Sequence, residues 1–289
     1  MAGLLLEGKV AIVTGGGQGI GRGVALAFAT EGANVVLADK NLATATSTAA
    51  EVRERGVGAL PVECDVTDIG DIRRCVDAAV SEFDTLAILV NNAMADPGLS
   101  LIPFMETTDA HMDKYWQSGP LATFHFMQTC YPHLRGHDSA IINVGSRAGI
   151  DGLWGYAAYG AAKEAIRALT KAAAREWGPD LIRVNAIAPY ADSPANRLAQ
   201  SLQPDATASR GGPTRPIGRA GDCELDIGRT VVYLASGLSA FVTGHTVMGR
   251  RRLVPVLRFS RPTQPLEMAA CICWNSGVWA SMPPSTLIT

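Results

Sequence analysis

The stretch KVAIVTGGGQGIG, residues 9–21, decides the fold of this chain. It begins as a short apolar run that predicts a buried strand, and its glycine-rich end leads into the helix-forming run RGVALAFATEG at residues 22–32. A turn between a strand and a helix presents backbone N–H groups and the positive end of the helix dipole, which together bind anions. Glycines let the backbone approach a phosphate closely and let the helix pack on the strand. The predicted contacts of this anion site are Gly15, Gln18, Gly19, Ile20 and Gly21.

A carboxylate follows at the end of the next predicted strand. That strand, ANVVLAD, ends at Asp39, which lies 18 residues after Gly21. At this position a carboxylate can accept hydrogen bonds from the ribose hydroxyls of a dinucleotide. It would also repel a 2′-phosphate, so Asp39 favours NAD(H) over NADP(H), although Lys40 directly after it could soften that preference.

Strand-like runs alternate with helical runs along the chain. The strand-like runs are residues 10–14, 34–39, 59–66, 86–93, 140–146 and 182–189. This alternation predicts an α/β fold in which a single-domain, doubly wound parallel sheet carries helices on both faces. Right-handed crossovers bring the carboxyl ends of the strands to one edge, where ligands bind. Polar and turn residues fall at these ends: Gly15, Asp39, Asp65, Asn92, Ser146 and Pro189.

Three further residues suggest acid–base chemistry. Tyr159 and Lys163 are four apart in a run of strong helix formers, which places them on the same helical face. A neighbouring ammonium favours the phenolate and pulls the phenol pKa down from about 10. Ser146 ends an apolar strand and can hold a substrate oxygen against the phenol. Taken alone, most Tyr-x3-Lys pairs are ordinary neighbours on a helix surface, so this pattern needs the support of the rest of the chain.

Six motifs together resemble the short-chain dehydrogenase/reductase family. They occur in family order between about residue 7 and residue 247: Thr14-Gly15-x3-Gly19-Ile20-Gly21, Asp65-Val66, Asn91-Asn92-Ala93, Ser146, Tyr159-x3-Lys163 and Arg183-Val184-Asn185-Ala186-Ile187-x-Pro189. The family consists of Rossmann-fold enzymes that oxidise alcohols or reduce carbonyls with NAD(H) or NADP(H). The resemblance implies one Rossmann domain over residues 1–248, with a substrate lid at about 190–218. Residues 249–289 form an atypical C-terminal tail that does not look like a second domain.

The resemblance also implies roles for particular residues. Tyr159 exchanges a proton with the substrate oxygen while hydride moves to or from the nicotinamide. Lys163 lowers the phenol pKa and holds the nicotinamide ribose, and Ser146 steadies the substrate oxygen. The residues implied to bind the cofactor are Gly15, Gln18, Gly19, Ile20, Gly21, Asp39, Asp65, Val66, Asn92, Tyr159, Lys163, Pro189 and Ser193.

The chain departs from the family pattern at three places. Gly119 stands where the family usually has an Asn that links the lysine to solvent, and Pro120 beside it is expected to break the helix. Met94 replaces a usual Gly, and Tyr190 replaces the Gly of the usual Pro-Gly. Ser193 could then take the carboxamide-binding role that often belongs to Thr. These departures indicate an unusual pocket or a member with weakened activity.

Two functions are compatible with the sequence. The first is an NAD-dependent oxidoreductase that interconverts a secondary alcohol and a ketone or aldehyde. Its substrate would be apolar or aromatic, because Leu153, Trp154, Tyr156 and Tyr190 lie in the segments that form the pocket in the family, although the same side chains could equally serve packing. The alternative is a dinucleotide-binding, catalytically impaired member with a sensor or scaffold role.

Composition narrows the remaining possibilities. The chain has 289 residues, 47% of them hydrophobic, enough for one large core, and a net charge of −2 that gives no basic surface for nucleic acid. The sequence lacks an apolar run of the roughly 18 residues that a membrane span needs. Six scattered cysteines and the absence of a secretion signal predict reduced thiols in a cytoplasmic protein. Neither cysteine nor histidine spacing predicts a metal site, and the resemblance implies a homo-oligomer, a dimer or a homotetramer.

Overall fold

Strand β1, Val10–Thr14, is buried along its whole length, as its uninterrupted apolar sequence predicts. The structure, a computed structural model, describes residues 3–95, 101–202 and 217–248. The expected tail at 249–289 and residues 203–216 of the expected lid lie outside the described residues. The other strands are β2 Asn34–Asp39, β3 Ala59–Glu63, β4 Ile88–Asn91, β5 Ser139–Val144, β6 Ile182–Ala188 and β7 Thr246–Met248.

Helices connect these strands. They are α1 Gly19–Thr30, α2 Leu42–Arg53, α3 Ile69–Phe83, α4 Asp109–Trp116, α5 Ala122–Leu134, α6 Arg147–Ile150, α7 Ala157–Glu176, α8 Pro194–Leu202 and α9 Arg229–Ala235. Short 3₁₀ turns cover Phe104–Glu106, Gly178–Asp180 and Gly237–Ser239. Two segments are π-helical, Gln117–Leu121 between α4 and α5 and Cys223–Gly228 before α9.

The seven strands form one parallel sheet in the order β3-β2-β1-β4-β5-β6-β7. Strand β1 pairs with β2 on one side and with β4 on the other, so the strand order reverses there. In open parallel sheets the crevice at such a reversal, outside the carboxyl ends of the strands, is where ligands bind. The predicted doubly wound Rossmann architecture is confirmed.

Each face of the sheet has its own apolar core. Alternate residues of β1 point to opposite faces, so Ala11 and Val13 pack in one core while Val10 and Ile12 pack in the other. The first core contains side chains from α1, α2 and α9, and the second contains side chains from α3, α5 and α7. Burial on both faces explains why the strands appear in the sequence as continuous apolar runs rather than as alternating patterns.

A threonine hydroxyl fixes β1 to β4 at the carboxyl edge of the sheet. Oγ1 of Thr14 accepts hydrogen bonds from the backbone N–H groups of Asn92 at 2.9 Å and Ala93 at 3.0 Å. The same hydroxyl lies 3.4 Å from the carbonyl oxygen of Val90, to which it donates. These three contacts set the position of the loop after β4 relative to the glycine-rich turn after β1.

We expect Phe126→Ala in α5 to lower the free energy of unfolding by about 3–5 kcal/mol, because it leaves a cavity in the second core. Phe126 is fully buried there, whereas Phe124, two residues earlier on the same helix, is 39% exposed. The matched control Phe124→Ala should therefore cost less than about 1 kcal/mol. Urea denaturation of the two variants measures both values, and equal losses would contradict the described packing of α5.

Candidate functional site

A cavity of about 580 Å³ is lined by residues at or just after the carboxyl ends of the first six strands. Gly15 follows β1, Asp39 ends β2, and Asp65 and Asn92 come shortly after β3 and β4. Ser146 follows β5 and Pro189 follows β6. The cavity therefore occupies the crevice that the strand order predicts.

The cavity collects most of the residues predicted from the sequence. Those that line it are Gly15, Gln18, Gly19, Ile20, Asp39, Asp65, Val66, Asn92, Ser146, Tyr159, Pro189 and Ser193. Two predicted residues, Gly21 and Lys163, are not among the residues that line it. Both are buried: Gly21 lies against the carbonyl of Gly15, and the Nζ of Lys163 lies 5.7 Å from the centroid of the Tyr159 ring.

The glycine-rich turn is held by close backbone packing. Gly15 has a φ of 63°, a left-handed conformation that favours glycine. A Cβ on Gly21 would overlap the carbonyl oxygen of Gly15, so only a residue without a side chain lets α1 approach β1 this closely. The side-chain amide of Asn92 donates to the carbonyl oxygens of Thr14 at 2.9 Å and Gly15 at 3.2 Å, which fixes the turn from the side of β4.

Helix α1 begins within this glycine-rich turn, and the N–H of Arg22 in its first turn donates to the carbonyl oxygen of Gln18 at 3.2 Å. Gln18 at the N-cap makes no capping hydrogen bond with its side chain among the described residues, and the first turn, Gly19–Arg22, carries no acidic side chain. The N–H groups and the positive end of the helix dipole are thus free of a local anionic partner within the described chain. Such a cradle, too narrow for a side chain at Gly21, fits a pyrophosphate.

Asp39 has both carboxylate oxygens engaged by the backbone. Oδ2 accepts from the N–H of Gly17 at 2.9 Å, and Oδ1 accepts from the N–H of Asn41 at 3.0 Å. These bonds hold the carboxylate at the wall of the cavity, and each oxygen keeps a lone pair for a further donor. Asp65, further along the wall, accepts from the backbone and hydroxyl of Thr67, and these bonds hold the pKa of its carboxyl below the ordinary value.

Tyr159 lies in α7 among aromatic side chains. Its ring makes an edge-on contact with Tyr115 at 5.6 Å between centroids and a tilted contact with Tyr156 at 5.7 Å. Burial raises the pKa of Tyr159 to about 12, while a hydrogen bond with the Ser146 side chain opposes that rise. The hydroxyl of Ser146 also accepts from the N–H of Ala148 at 3.1 Å, which caps the short helix α6 and holds the serine in place.

Lys163 is almost completely buried one turn after Tyr159. Its Nζ donates to the carbonyl oxygen of Val144 at 2.6 Å and lies 5.7 Å from the centroid of the Tyr159 ring. Burial lowers the pKa of Lys163 to about 8. The sequence led us to expect the ammonium to lower the phenol pKa, but in this arrangement desolvation dominates both groups, because the ammonium is directed to a carbonyl group of β5.

The helix around Pro120 does not break. The chain runs from α4 through the π-helical segment Gln117–Leu121 into α5 without leaving a helical conformation. Proline lacks the N–H that an α-helix would use at this position, and a wider π turn accommodates the residue. The expected break is therefore wrong, and the turn brings Ser118 to the cavity, where its hydroxyl donates to the carbonyl of Lys114 at 2.8 Å.

Of the four apolar and aromatic residues expected in the substrate pocket, only two line the cavity. Leu153 and Tyr156 line the cavity, but Trp154 is 65% exposed and neither it nor Tyr190 is among the lining residues. The aromatic character of this end therefore comes from Tyr156 and Tyr159.

Sequence reasoning missed several residues that line the cavity. The loop after β3 contributes Cys64 and Thr67, and within the expected lid at 190–218, where only Ser193 was assigned a role, α8 contributes Pro194, Ala195, Asn196 and Ala199. The amide of Asn196 donates to the carbonyl of Ala191 at 2.9 Å, which ties the helix to the segment before it. The sequence of α8, small residues within a polar helix, does not by itself indicate which of its residues line a cavity.

The described part of the chain contains neither a metal-binding cluster nor a membrane-spanning helix. Within residues 3–95, 101–202 and 217–248, no cluster of three or more His, Cys, Asp or Glu side chains is arranged to hold a metal ion. Over the same ranges, each helix is too short or too polar to cross a membrane.

Comparison with known proteins identifies a family and several relatives of this chain. The family model described as enoyl-(acyl carrier protein) reductase matches residues 15–249. The chain is 40% identical to a 12α-hydroxysteroid dehydrogenase of Clostridium sp., over 86% of this chain and 99% of that protein. It is 35% identical to an L-fucose dehydrogenase of Oryctolagus cuniculus, over 86% of this chain and 88% of that protein.

A solved structure shows the same fold. It is a 7α-hydroxysteroid dehydrogenase complexed with NADH and 7-oxo glycochenodeoxycholic acid, which superposes with a TM-score of 0.77 at 30% identity. The match covers 85% of this chain and 94% of that one. Fold and cavity thus define an oxidoreductase of the class that uses NAD(P) nucleotides. The chain belongs to the short-chain dehydrogenase/reductase family.

We expect Lys163→Met to raise the free energy of unfolding at neutral pH relative to the unaltered chain. Between its folded pKa of about 8 and its ordinary value of 10.5, Lys163 binds fewer protons in the folded than in the unfolded state. The unaltered chain therefore gains up to about 3 kcal/mol as the pH rises through this window, and the advantage of the variant shrinks. Urea denaturation at unit pH intervals measures this change. Lys171→Met, exposed on the same helix, is the control, and an advantage that does not change with pH would contradict a buried ammonium.

Proposed function

We propose that this protein is an NAD-dependent oxidoreductase that interconverts a secondary alcohol and a ketone or aldehyde, with an apolar or aromatic substrate. The observation that carries the proposal is that Tyr159 and Ser146 line one cavity together with the glycine-rich turn and Asp39. Within that cavity one substrate oxygen could contact both hydroxyls. The same cavity runs to the glycine-rich turn and to Asp39, so one crevice offers an acid–base pair and a nucleotide cradle.

The residues of the cradle fit a dinucleotide. The N–H groups at the start of α1 can bind the pyrophosphate, and the carboxylate of Asp39 can accept from the adenosine ribose hydroxyls. The loop at Asp65 and Val66 would border the adenine, and the segment from Pro189 to Ser193 the nicotinamide end. When bound, the dinucleotide supplies or accepts the hydride of the reaction.

The chain itself handles the proton. At neutral pH a phenol with a pKa of about 12 keeps its proton, so the Tyr159 hydroxyl is ready to donate to a carbonyl oxygen. The Ser146 hydroxyl, fixed by Ala148, would donate to the same oxygen and stabilise the charge that develops on it. The buried ammonium of Lys163 supports the phenolate that remains after the transfer, since its Nζ is 5.7 Å from the Tyr159 ring.

Relatives and cavity both support a ring-bearing substrate. Two of the relatives are named for hydroxysteroids and one for L-fucose. In this chain Met94, Leu153 and Tyr156 give the wall near Tyr159 an apolar surface. That surface favours an apolar cyclic alcohol over a sugar, because few polar side chains there can satisfy extra hydroxyls.

Two further expectations of the sequence remain predictions. These are a cytoplasmic location and assembly as a homo-oligomer, either a dimer or a homotetramer. Gel filtration with light scattering would measure the second.

We expect Tyr159→Phe to reduce turnover at least about a thousandfold while the dissociation constant for NADH changes less than about threefold, because the phenol acts on the substrate oxygen. Steady-state NADH formation with a panel of cyclic secondary alcohols, together with NADH fluorescence titration, measures the two effects. Tyr233→Phe, on a partly exposed tyrosine of α9, is the matched control. Retention of most activity would refute the acid–base role. Tight NADH binding without turnover by the unaltered chain would favour the catalytically impaired alternative instead.

We expect the unaltered chain to bind NADH at least about tenfold more tightly than NADPH, because a 2′-phosphate would approach the Asp39 carboxylate. Asp39→Ala should reduce that preference, since it removes both the hydrogen-bond acceptor and the repulsion. Dissociation constants for the two reduced nucleotides provide the test, with Asp77→Ala on the exposed side of α3 as control. Equal or tighter binding of NADPH to the unaltered chain would show that Lys40 outweighs Asp39.

A further inference from the structure

The side chain of Met94 lies directly over Gly119. Met94 comes shortly after β4 and lines the cavity. A Cβ built on Gly119 would be 3.0 Å from Cε of Met94 and 3.7 Å from its Sδ. The first distance is tighter than nine in ten real contacts of a Cβ, so a side chain at 119 would require the thioether to move by a few tenths of an ångström.

The backbone at Gly119 has little room to move away from Met94. Gly119 is buried within the π-helical segment, next to Pro120. On α7, Cδ1 of Ile166 would lie 3.7 Å from the same Cβ, and Ile166 itself is fully buried. A side chain at 119 would therefore be accommodated by movement of Met94, whose unbranched side chain adapts more easily than a packed helix.

Met94 and Tyr159 share one packing environment. Both pack against the small buried cluster of Tyr115, Ala158 and Ala162. Tyr115 contacts the Tyr159 ring directly. The Met94 side chain also borders the cavity, which Tyr159 and Ser118 line as well, so its displacement from Gly119 would change the shape of the cavity near Tyr159.

We propose that Met94 and Gly119 form one specificity-determining pair that sets the width of the cavity beside the Tyr159 hydroxyl. Gly119 keeps the Met94 thioether back, and the thioether supplies an apolar wall that admits a fused-ring alcohol at the position of proton exchange. This inference rests on the proposed function, and it adds which residues select the substrate. Gly119 and Met94 both depart from the family pattern, and the two departures complement each other. The missing side chain at Gly119 leaves room for the side chain of Met94.

A double-mutant cycle with two alcohols of different size tests the pair. The variants are Gly119→Ala, Met94→Ala and the combination, assayed with NAD⁺ on 2-decalol and on cyclohexanol. We expect Gly119→Ala alone to lower kcat/KM about tenfold for 2-decalol and less than about twofold for cyclohexanol, because the displaced thioether narrows the cavity. In the Met94→Ala background the same change should have less than about a twofold effect on either alcohol, since the obstructing group is gone.

Matched controls separate this effect from general damage. Gly237→Ala adds a methyl group in open space, and Met105→Ala truncates a methionine that is 92% exposed. Both should leave the ratio of kcat/KM for the two alcohols unchanged. If Gly119→Ala lowers kcat/KM equally for both alcohols, or still lowers it in the Met94→Ala background, the proposed pairing of Met94 and Gly119 is wrong.

Binding of the ketones gives a readout that does not require turnover. Isothermal titration calorimetry of 2-decalone and cyclohexanone, each into the protein with NAD⁺, which cannot reduce a ketone, should show the same size-dependent coupling across the cycle. If the unaltered chain oxidises neither alcohol but shows this coupling, the proposed activity fails and the pair stands. If it binds neither ketone, or binds both with no coupling, the pair is overturned whatever the activity.

Discussion

The close packing of α1 on β1 is the constraint on which the rest of the site depends. Gly21 lies against the carbonyl of Gly15 with no space for a Cβ, and the amide of Asn92 holds the same turn from the neighbouring strand. Because the Thr14 hydroxyl in turn fixes the backbone after β4, the turn, the helix N-terminus and the loop after β4 form one rigid unit. The candidate anion site at the start of α1 and the position of Met94 at the cavity are both set by this unit.

Burial is the dominant electrostatic influence at the other end of the cavity. It raises the pKa of the Tyr159 phenol and lowers that of the Lys163 ammonium, so burial shifts both equilibria toward the neutral form, although Lys163 stays mostly protonated at neutral pH. The hydrogen bond from Lys163 to the carbonyl of Val144 partly compensates the buried charge. Such a site stores free energy that would otherwise stabilise the fold, an arrangement common where acid–base chemistry takes place.

Helical continuity through Pro120 shows how the chain adapts around this site. A π turn accommodates the proline, which lacks an N–H. The chain stays helical from α4 to α5, and Ser118 lines the cavity. The glycine beside the proline would be an ordinary flexible position in an exposed helix. Here Gly119 is buried, and the side chains of Met94 and Ile166 pack next to the position where its Cβ would be.

The sequence by itself determined six of the strands, their parallel arrangement and twelve of the residues that line the cavity. Strands buried on both faces are continuous apolar runs, and the residues after their carboxyl ends must meet at one edge, so local pattern suffices for Gly15, Asp39 and Ser146. Only the tertiary structure decided that Lys163 turns to Val144, which residues of the expected lid line the cavity, and that Met94 covers Gly119. These features arise between residues far apart in the chain, where side-chain packing and desolvation, rather than local propensity, select one arrangement.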